Sequence, residues 1–231
     1  MENYEIRVWV GNLGRYTEGD LVGGWITLPQ PAEAITKFLR DVVQVDPAHE
    51  EYAIFDTEND GALAALDLEI GDYTDVWELN VLAAALKYAG DMHPYEDVCD
   101  AVSLAAEQCG AGWPIDYANL AMQVDDIDYT PFPDADDYTL DQRGKLAWSL
   151  VESGALPEIK SILDSPLSAC IDMEILGRDL QQDYYTSDHG YMSIFSNIPL
   201  TDRYTIREIE SIITPDDWAG TLIPTRELAA A

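Results

Sequence analysis

The sequence predicts an α+β fold in which strands gather toward the two ends and helices fill the middle. Three observations carry it: alternating apolar residues in YEIRVWV and a strand-like YAIFD near the N-terminus, helix-spaced apolar stripes from Thr74 to Gly110, and a strand pair around the Asp188-His189-Gly190 turn. The 231 residues divide accordingly into an N-terminal α/β unit at 1–60, an acidic helical unit at 61–119, an acidic α+β unit at 120–195 and an extension at 196–231. The first boundary falls near Asp60-Gly61.

In YEIRVWV, Ile6, Val8 and Val10 alternate toward one face, which predicts a strand. GNLGRYTEGDLVGG carries five glycines, as a long turn between strands would, and GWITL follows as the second strand. Pro31 suits a first helical position with Glu33 behind it, and Ile35, Phe38, Leu39, Val42 and Val43 form the stripe of that helix. YAIFD, 52–56, closes the unit.

Thr74 is placed to cap a helix in which Val76, Leu79, Leu82, Ala83 and Leu86 recur at helical spacing, with Gly90 as its stop. Pro94 opens the next helix, Glu96 and Asp97 sit in its first turn, and Gly110 ends it. Thr139 and Gln142 fit a capping box that opens a helix through Leu146, Trp148, Leu150 and Val151 to Gly154. A further helical stretch, about Ser168 to Gln182, leads into two strands of YYTSDHGYMSIF. In the extension, Thr205 and Glu208 predict one more capped helix, TIREIESII. No fixed-period repeat runs through the chain.

An apolar content of 47%, with six Trp and thirteen Tyr, supports real cores and excludes a disordered acidic tail. No run approaches the length of a membrane span, and the N-terminus begins as a strand rather than a signal peptide, so the cytoplasm is the expected compartment. Cys99, Cys109 and Cys170 form neither a CxxC pair nor an even disulfide framework; small core residues are the expectation.

The charge is the anomaly. Twelve bases against 44 acids leave −32, and from Asp41 to Gln142 there are 25 Asp and Glu against one base, Lys87. Val124 to Asp141 alone holds seven aspartates in eighteen residues. Such a body repels nucleic acid and acidic membranes, and its natural partners are basic. On the helix after Pro94, Val98, Val102, Ala105 and Cys109 share one stripe, while Glu96, Asp100 and Glu107 lie opposite with Ser103 between them. Those carboxylates stand roughly 6 and 16 Å apart along the axis, from the helical rise. Each like-charge pair at i,i+4 costs the helix about 0.2–0.5 kcal/mol. For one helix alone a solvated outer face explains this; a near-absence of lysine and arginine over a hundred residues calls for a directed display.

DTENDGALAALD, 56–67, approaches the calcium-loop pattern, with Asp56, Glu58, Asp60, Gly61 and Asp67 at the ligand and glycine positions. It departs by Glu at the third position, by the shorter Asp at the twelfth, and by a strand-like lead-in; a polar boundary loop is the alternative. Paired carboxylates could serve glycosidase chemistry, but among 44 acids pairs arise by chance. There is no GxSxG, HExxH, P-loop or GxGxxG, and His49, His93 and His189 fall in loops and turns as structural residues. No catalytic set, cofactor or metal site is nominated, and the chain is expected not to be an enzyme. Duplex DNA carries one charge per about 1.7 Å, so two copies at −32 each would match a duplex of about 110 Å. Displayed on an elongated scaffold, that charge would be drawn to a basic DNA-binding groove.

The blocks IRVWVGNLGRYTEGDLVGGWITLP, EEYAIFD, ESGALPEI and LGRDLQQDYYTSDHGYMSIF, in that order, resemble the ArdA antirestriction proteins of plasmids and conjugative transposons. The resemblance covers about residues 4–195, is loose through 61–120, and leaves the tail from Ser196 outside. It implies an elongated array of three small domains, dimerising into a curved acidic rod that imitates bent B-form DNA. Such a rod would bind the DNA groove of type I restriction-modification enzymes, around the methyltransferase and specificity subunits. The implied role is inhibition that protects incoming mobile DNA, without nucleic-acid or membrane binding by the protein itself. NLGRY and LGRDL are expected to be scaffold, with Arg15 and Arg178 as internal partners for carboxylates. The candidate partner-binding residues are Asp75, Glu78, Glu96, Asp97, Asp100, Glu107, Asp116, Asp125, Asp126, Asp128, Asp134, Asp136, Asp137 and Asp141, with the aspartates of 124–141 expected to stay unpaired. The alternative is an acidic calcium-binding or salt-adapted interaction protein without mimicry.

Overall fold

The computed structural model describes residues 4–58, 60–133, 140–213 and 220–225. The fold is α+β, with ten α-helices and two three-stranded antiparallel sheets among the described residues. The first sheet has the order β2-β1-β3, built from β1 (Ile6–Asn12), β2 (Gly23–Leu28) and β3 (Tyr52–Thr57). Ile6, Val8 and Val10 point into the core as their alternation predicts. Helix α2 (Ala32–Asp41) covers this sheet with Ile35 and Leu39, and Val43 just beyond it is also buried, whereas Val42 of the expected stripe is exposed. Pro31 stands one position before the helix rather than inside it.

The glycine-rich stretch after β1 is not a plain turn. It contains α1 (Leu13–Glu18), because the buried Asn12 side chain accepts a hydrogen bond from Arg15 N and Gly19, at φ 99°, closes the C-terminus in the left-handed region. The calcium-like segment also folds otherwise: its positions from Gly61 onward form α3 (Gly61–Leu66), burying Ala62, Leu63 and Leu66. A helix there cannot wrap a cation as a calcium loop does. Among the described residues no group of three or more His, Cys, Asp or Glu is placed to hold a metal.

Helix α4 (Val76–Gly90) is the axis of the molecule. Val76, Leu79, Val81, Leu82, Ala83, Ala85 and Leu86 are all fully buried, and a helix apolar over most of its circumference belongs inside a core. Its cap is Asp75, which accepts from Trp77 N at 2.8 Å, while Thr74, the residue expected there, accepts from Gly71 N. Against α4 pack α5 (Tyr95–Cys109) and α6 (Pro114–Ala121). Gly110, at φ 70°, ends α5 as expected.

The aspartate-rich stretch carries structure of its own: a 3-10 turn (Val124–Asp126) and β4 (Tyr129–Pro131). β4 pairs with β6 (Gly190–Ser193), which pairs with β5 (Tyr184–Thr186), giving the second sheet the order β4-β6-β5. Between β4 and β5 lie α7 (Gln142–Glu152), α8 (Pro157–Leu163) and α9 (Met173–Leu180). The α7 cap is Asp141, accepting from Gly144 N at 2.9 Å; the expected Thr139 lies outside the described residues. The helix expected over 168–182 is split, because Ile171 and Asp172 are extended and Asp172 caps α9 afresh through Glu174 N and Ile175 N. In the tail, α10 (Ile206–Ile213) has the expected box: Glu208 accepts from Thr205 N, and Thr205 accepts from Glu208 N.

One buried apolar cluster runs from Ile6 through α4 and α5 to Ile209 and Ile223, without a break at residue 60; a small one gathers Leu146, Leu150 and Tyr191. Cys99 lies in the core, but Cys109 and Cys170 are exposed, contrary to expectation. No helix among the described residues is long and apolar enough to cross a membrane.

Candidate interaction surface

The candidate carboxylates fall into three groups, two at helix N-termini and one along the aspartate-rich stretch. At the first, Asp75 caps α4 and Glu78 occupies its first turn, while Asp116 accepts from Trp113 N at 3.2 Å to start α6. The pKa of Glu78 is raised, first by burial and then by the charges of Asp75 and Asp116. Three carboxylates thus share one neighbourhood.

The second group surrounds the start of α5. Glu96 and Glu107 are exposed, as their helical positions predict. Asp97 has a raised pKa, from burial first, then from Asp100 and Glu96, with His189 and His93 acting in the opposite direction. Asp97 and Asp125 line a cavity of about 250 Å³ with His93, Ala101 and Tyr129, so α5 and the 3-10 turn present acids to a common hollow. His93 Nε2 stands 3.0 Å from Asp125 Oδ1, an ion-pair distance without the alignment of a hydrogen bond. Neighbouring neutral groups register the same field: the Cys99 thiol is pushed up to about 12, by burial and then by Asp100 and Glu96, and Tyr129 rises by burial and Asp100.

Asp100 does not belong to the exposed face where helical spacing put it. Its side chain is 14% exposed and its Oδ2 accepts from Ser187 Oγ at 2.5 Å and Tyr129 Oη at 3.4 Å, with His189 Nδ1 at 3.0 Å. It is the joint between α5 and the second sheet. Packing on two sides explains the difference: beyond the expected stripe, α5 also buries Cys99, Ala101, Leu104 and Ala106.

The third group is the aspartate-rich stretch, and there the expectation of unpaired carboxylates is corrected. Asp126 meets Arg203 at 3.3 Å, Asp128 accepts from Ser196 Oγ at 3.0 Å, Asp125 faces His93, and Asp141 is spent on its cap. Asp134, Asp136 and Asp137 lie outside the described residues. The tail supplies Arg203 and Ser196, which no local pattern in 124–141 could announce. Arg15 does pair inward, at 3.5 Å from Asp46, but Arg178 meets exposed Asp179 on the surface.

The two blocks expected to be scaffold are tightly built. A side chain at Gly177 in LGRDL would collide with the Arg143 carbonyl, which lets α9 lie close on α7. In NLGRY, Asn12 also donates to the carbonyls of Gln44 at 3.1 Å and His49 at 3.3 Å.

No curated protein matches the chain. The family model described as antirestriction protein (ArdA) matches residues 8–193, which include both sheets apart from the first two residues of β1, α1 to α9 and every candidate carboxylate. The chain therefore belongs to the ArdA family of antirestriction proteins.

Proposed function

We propose that this protein inhibits type I restriction-modification enzymes by presenting carboxylates in place of duplex phosphates to the DNA groove formed by the methyltransferase and specificity subunits. The observation that carries the proposal is the crowding of like charge at the start of α4 and α5, where no lysine or arginine among the described residues forms an ion pair with it. There Glu78 stands with Asp75 and Asp116, and Asp97 with Asp100 and Glu96, each group held despite its own repulsion. A fold that tolerates such crowding gains a surface whose partner supplies the missing cations. Glu78, Glu96, Asp97, Glu107, Asp125 and Asp128 form the core of that surface; Asp100 and Asp141 support it from within the fold. Two copies, joined as a homodimer of elongated three-domain chains, would extend the display to the length of a bound duplex and shield incoming mobile DNA from cleavage.

The test is cleavage of unmodified DNA by a type I enzyme with ATP, titrated with the purified protein. Cleavage should fall as protein is added. A folded variant with those six residues changed to Gln or Asn should inhibit about 100-fold less well, taking about 0.5 kcal/mol per charge. Equal inhibition by the variant rejects the surface.

A further inference from the structure

Residues 194–213 and 220–225 lie beyond the stretch matched by the family, yet they are bound to it by a recurring chemistry. Four side-chain amides, on α5, just after α6, on α6 and on α4, reach the main chain of this segment in succession. Gln108 Nε2 donates to the carbonyls of Ile194 at 3.1 Å and Ser196 at 2.8 Å. Gln123 Nε2 donates to Leu200 O at 2.9 Å, and its Oε1 accepts from Arg203 Nη1 at 3.0 Å. Asn119 forms a two-point pair with Tyr204, donating to its carbonyl at 3.0 Å and accepting from its N–H at 2.8 Å. Asn80 donates to Leu222 O at 2.8 Å while also pairing both ways with the main chain of Gln30.

Asn80 and Asn119 are fully buried, and a buried amide is costly unless both of its ends are paired. The segment supplies part of that pairing at each. Around these bonds it inserts Ile209, Ile213, Leu222 and Ile223 into the main core, and Glu210 Oε1 accepts from Leu222 N at 2.7 Å and Ile223 N at 3.1 Å to fold the last turn down. Thr221 O then accepts from Ala32 N at 2.6 Å, at the start of α2, where Pro31 offers no side-chain cap. The path thus begins on α5 and ends on the N-terminal unit.

We propose that the face formed by α4, α5 and α6 is a peptide-binding site that reads main chain through side-chain amides, and that its ligand is this chain's own residues 194–213 and 220–225, acting as a clasp between the helices and the N-terminal sheet unit. Recognition through carbonyls and N–H groups with apolar anchors is the chemistry by which folded domains hold extended peptides. The inference does not depend on the inhibitory role.

The test uses the whole chain with a specific protease site inserted after exposed Asn197, cut once folded. The clasp predicts that the released tail elutes with the body at micromolar concentration. It also predicts that a labelled peptide of residues 198–225 in excess replaces the tail, and that Asn119→Ala with Gln123→Ala weakens retention at least tenfold. A tail that separates from a body of unchanged circular dichroism overturns the proposal. Hydrogen exchange on the uncut chain decides the matter even where cutting unfolds the body. The Tyr204 amide should exchange at least 100-fold slower than in the free peptide, and about tenfold faster again in Asn119→Ala with β1 unaffected. Free-peptide exchange at Tyr204 in the parent overturns the clasp.

Discussion

His189 Nδ1 stands 3.0 Å from Asp100 Oδ2, tying the turn of the β5–β6 hairpin to the middle of α5. Ser187 and Tyr129 donate to the same oxygen, so one carboxylate of the acidic region holds the second sheet in place. Asp100→Ala should therefore cost about 1–2 kcal/mol in urea unfolding, since it leaves the part-buried Ser187 and Tyr129 hydroxyls without their acceptor. Glu96→Ala and Glu107→Ala, on exposed positions of the same helix, should stay within about 0.5 kcal/mol of the parent.

Gly177→Ala should destabilise by about 1–3 kcal/mol, because its methyl group would fall on the Arg143 carbonyl where α9 crosses α7. Gly112→Ala is the control, having open space around it. Thermal unfolding of the two variants side by side checks the contrast.

Asn12 caps α1 and bridges to two carbonyls across the N-terminal unit. Asn12→Ala removes all three bonds from a fully buried site, and a loss of about 2 kcal/mol in denaturant unfolding is expected.

Glu78 has a folded-state pKa raised by burial, Asp75 and Asp116. A raised carboxylate favours the folded state when protonated, so its favourable share is complete below the unfolded pKa and is lost as pH rises through the folded one. Glu78→Gln should accordingly match the parent in acid and exceed it slightly at pH 7, by at most about 0.5 kcal/mol for a partly exposed group. Unfolding curves from pH 3 to 7 give the comparison; a variant less stable at pH 7 contradicts the assigned crowding.

Local pattern carried much of the fold. The β1 alternation, the apolar stripe of α4, Gly110 and the Thr205-Glu208 box each depend on neighbours within a few residues, and each stands where the sequence puts it. What was hidden depends on distant partners. Strand β4 is three residues long and gains its identity from β6, some sixty residues on, and Asp100 looks solvated until Ser187 and His189 fold over it. Arg203 reaches Asp126 from a tail with no local tie to it. Helix caps shifted by one or two residues, from Thr74 to Asp75 and to Asp141, because several adjacent side chains could accept the same orphan N–H groups. The acidic character of the surface was legible from composition; the division of its carboxylates between display and support was not.

The most direct measurement is displacement of a labelled DNA duplex from a type I methyltransferase by the purified protein, repeated across a salt series. Occupation of the DNA groove by arrayed carboxylates predicts stoichiometric displacement, weakening steeply as salt rises, and a shallower salt slope for the variant with six neutralised carboxylates. Duplex that stays bound at saturating protein, or displacement indifferent to both salt and neutralisation, would contradict it.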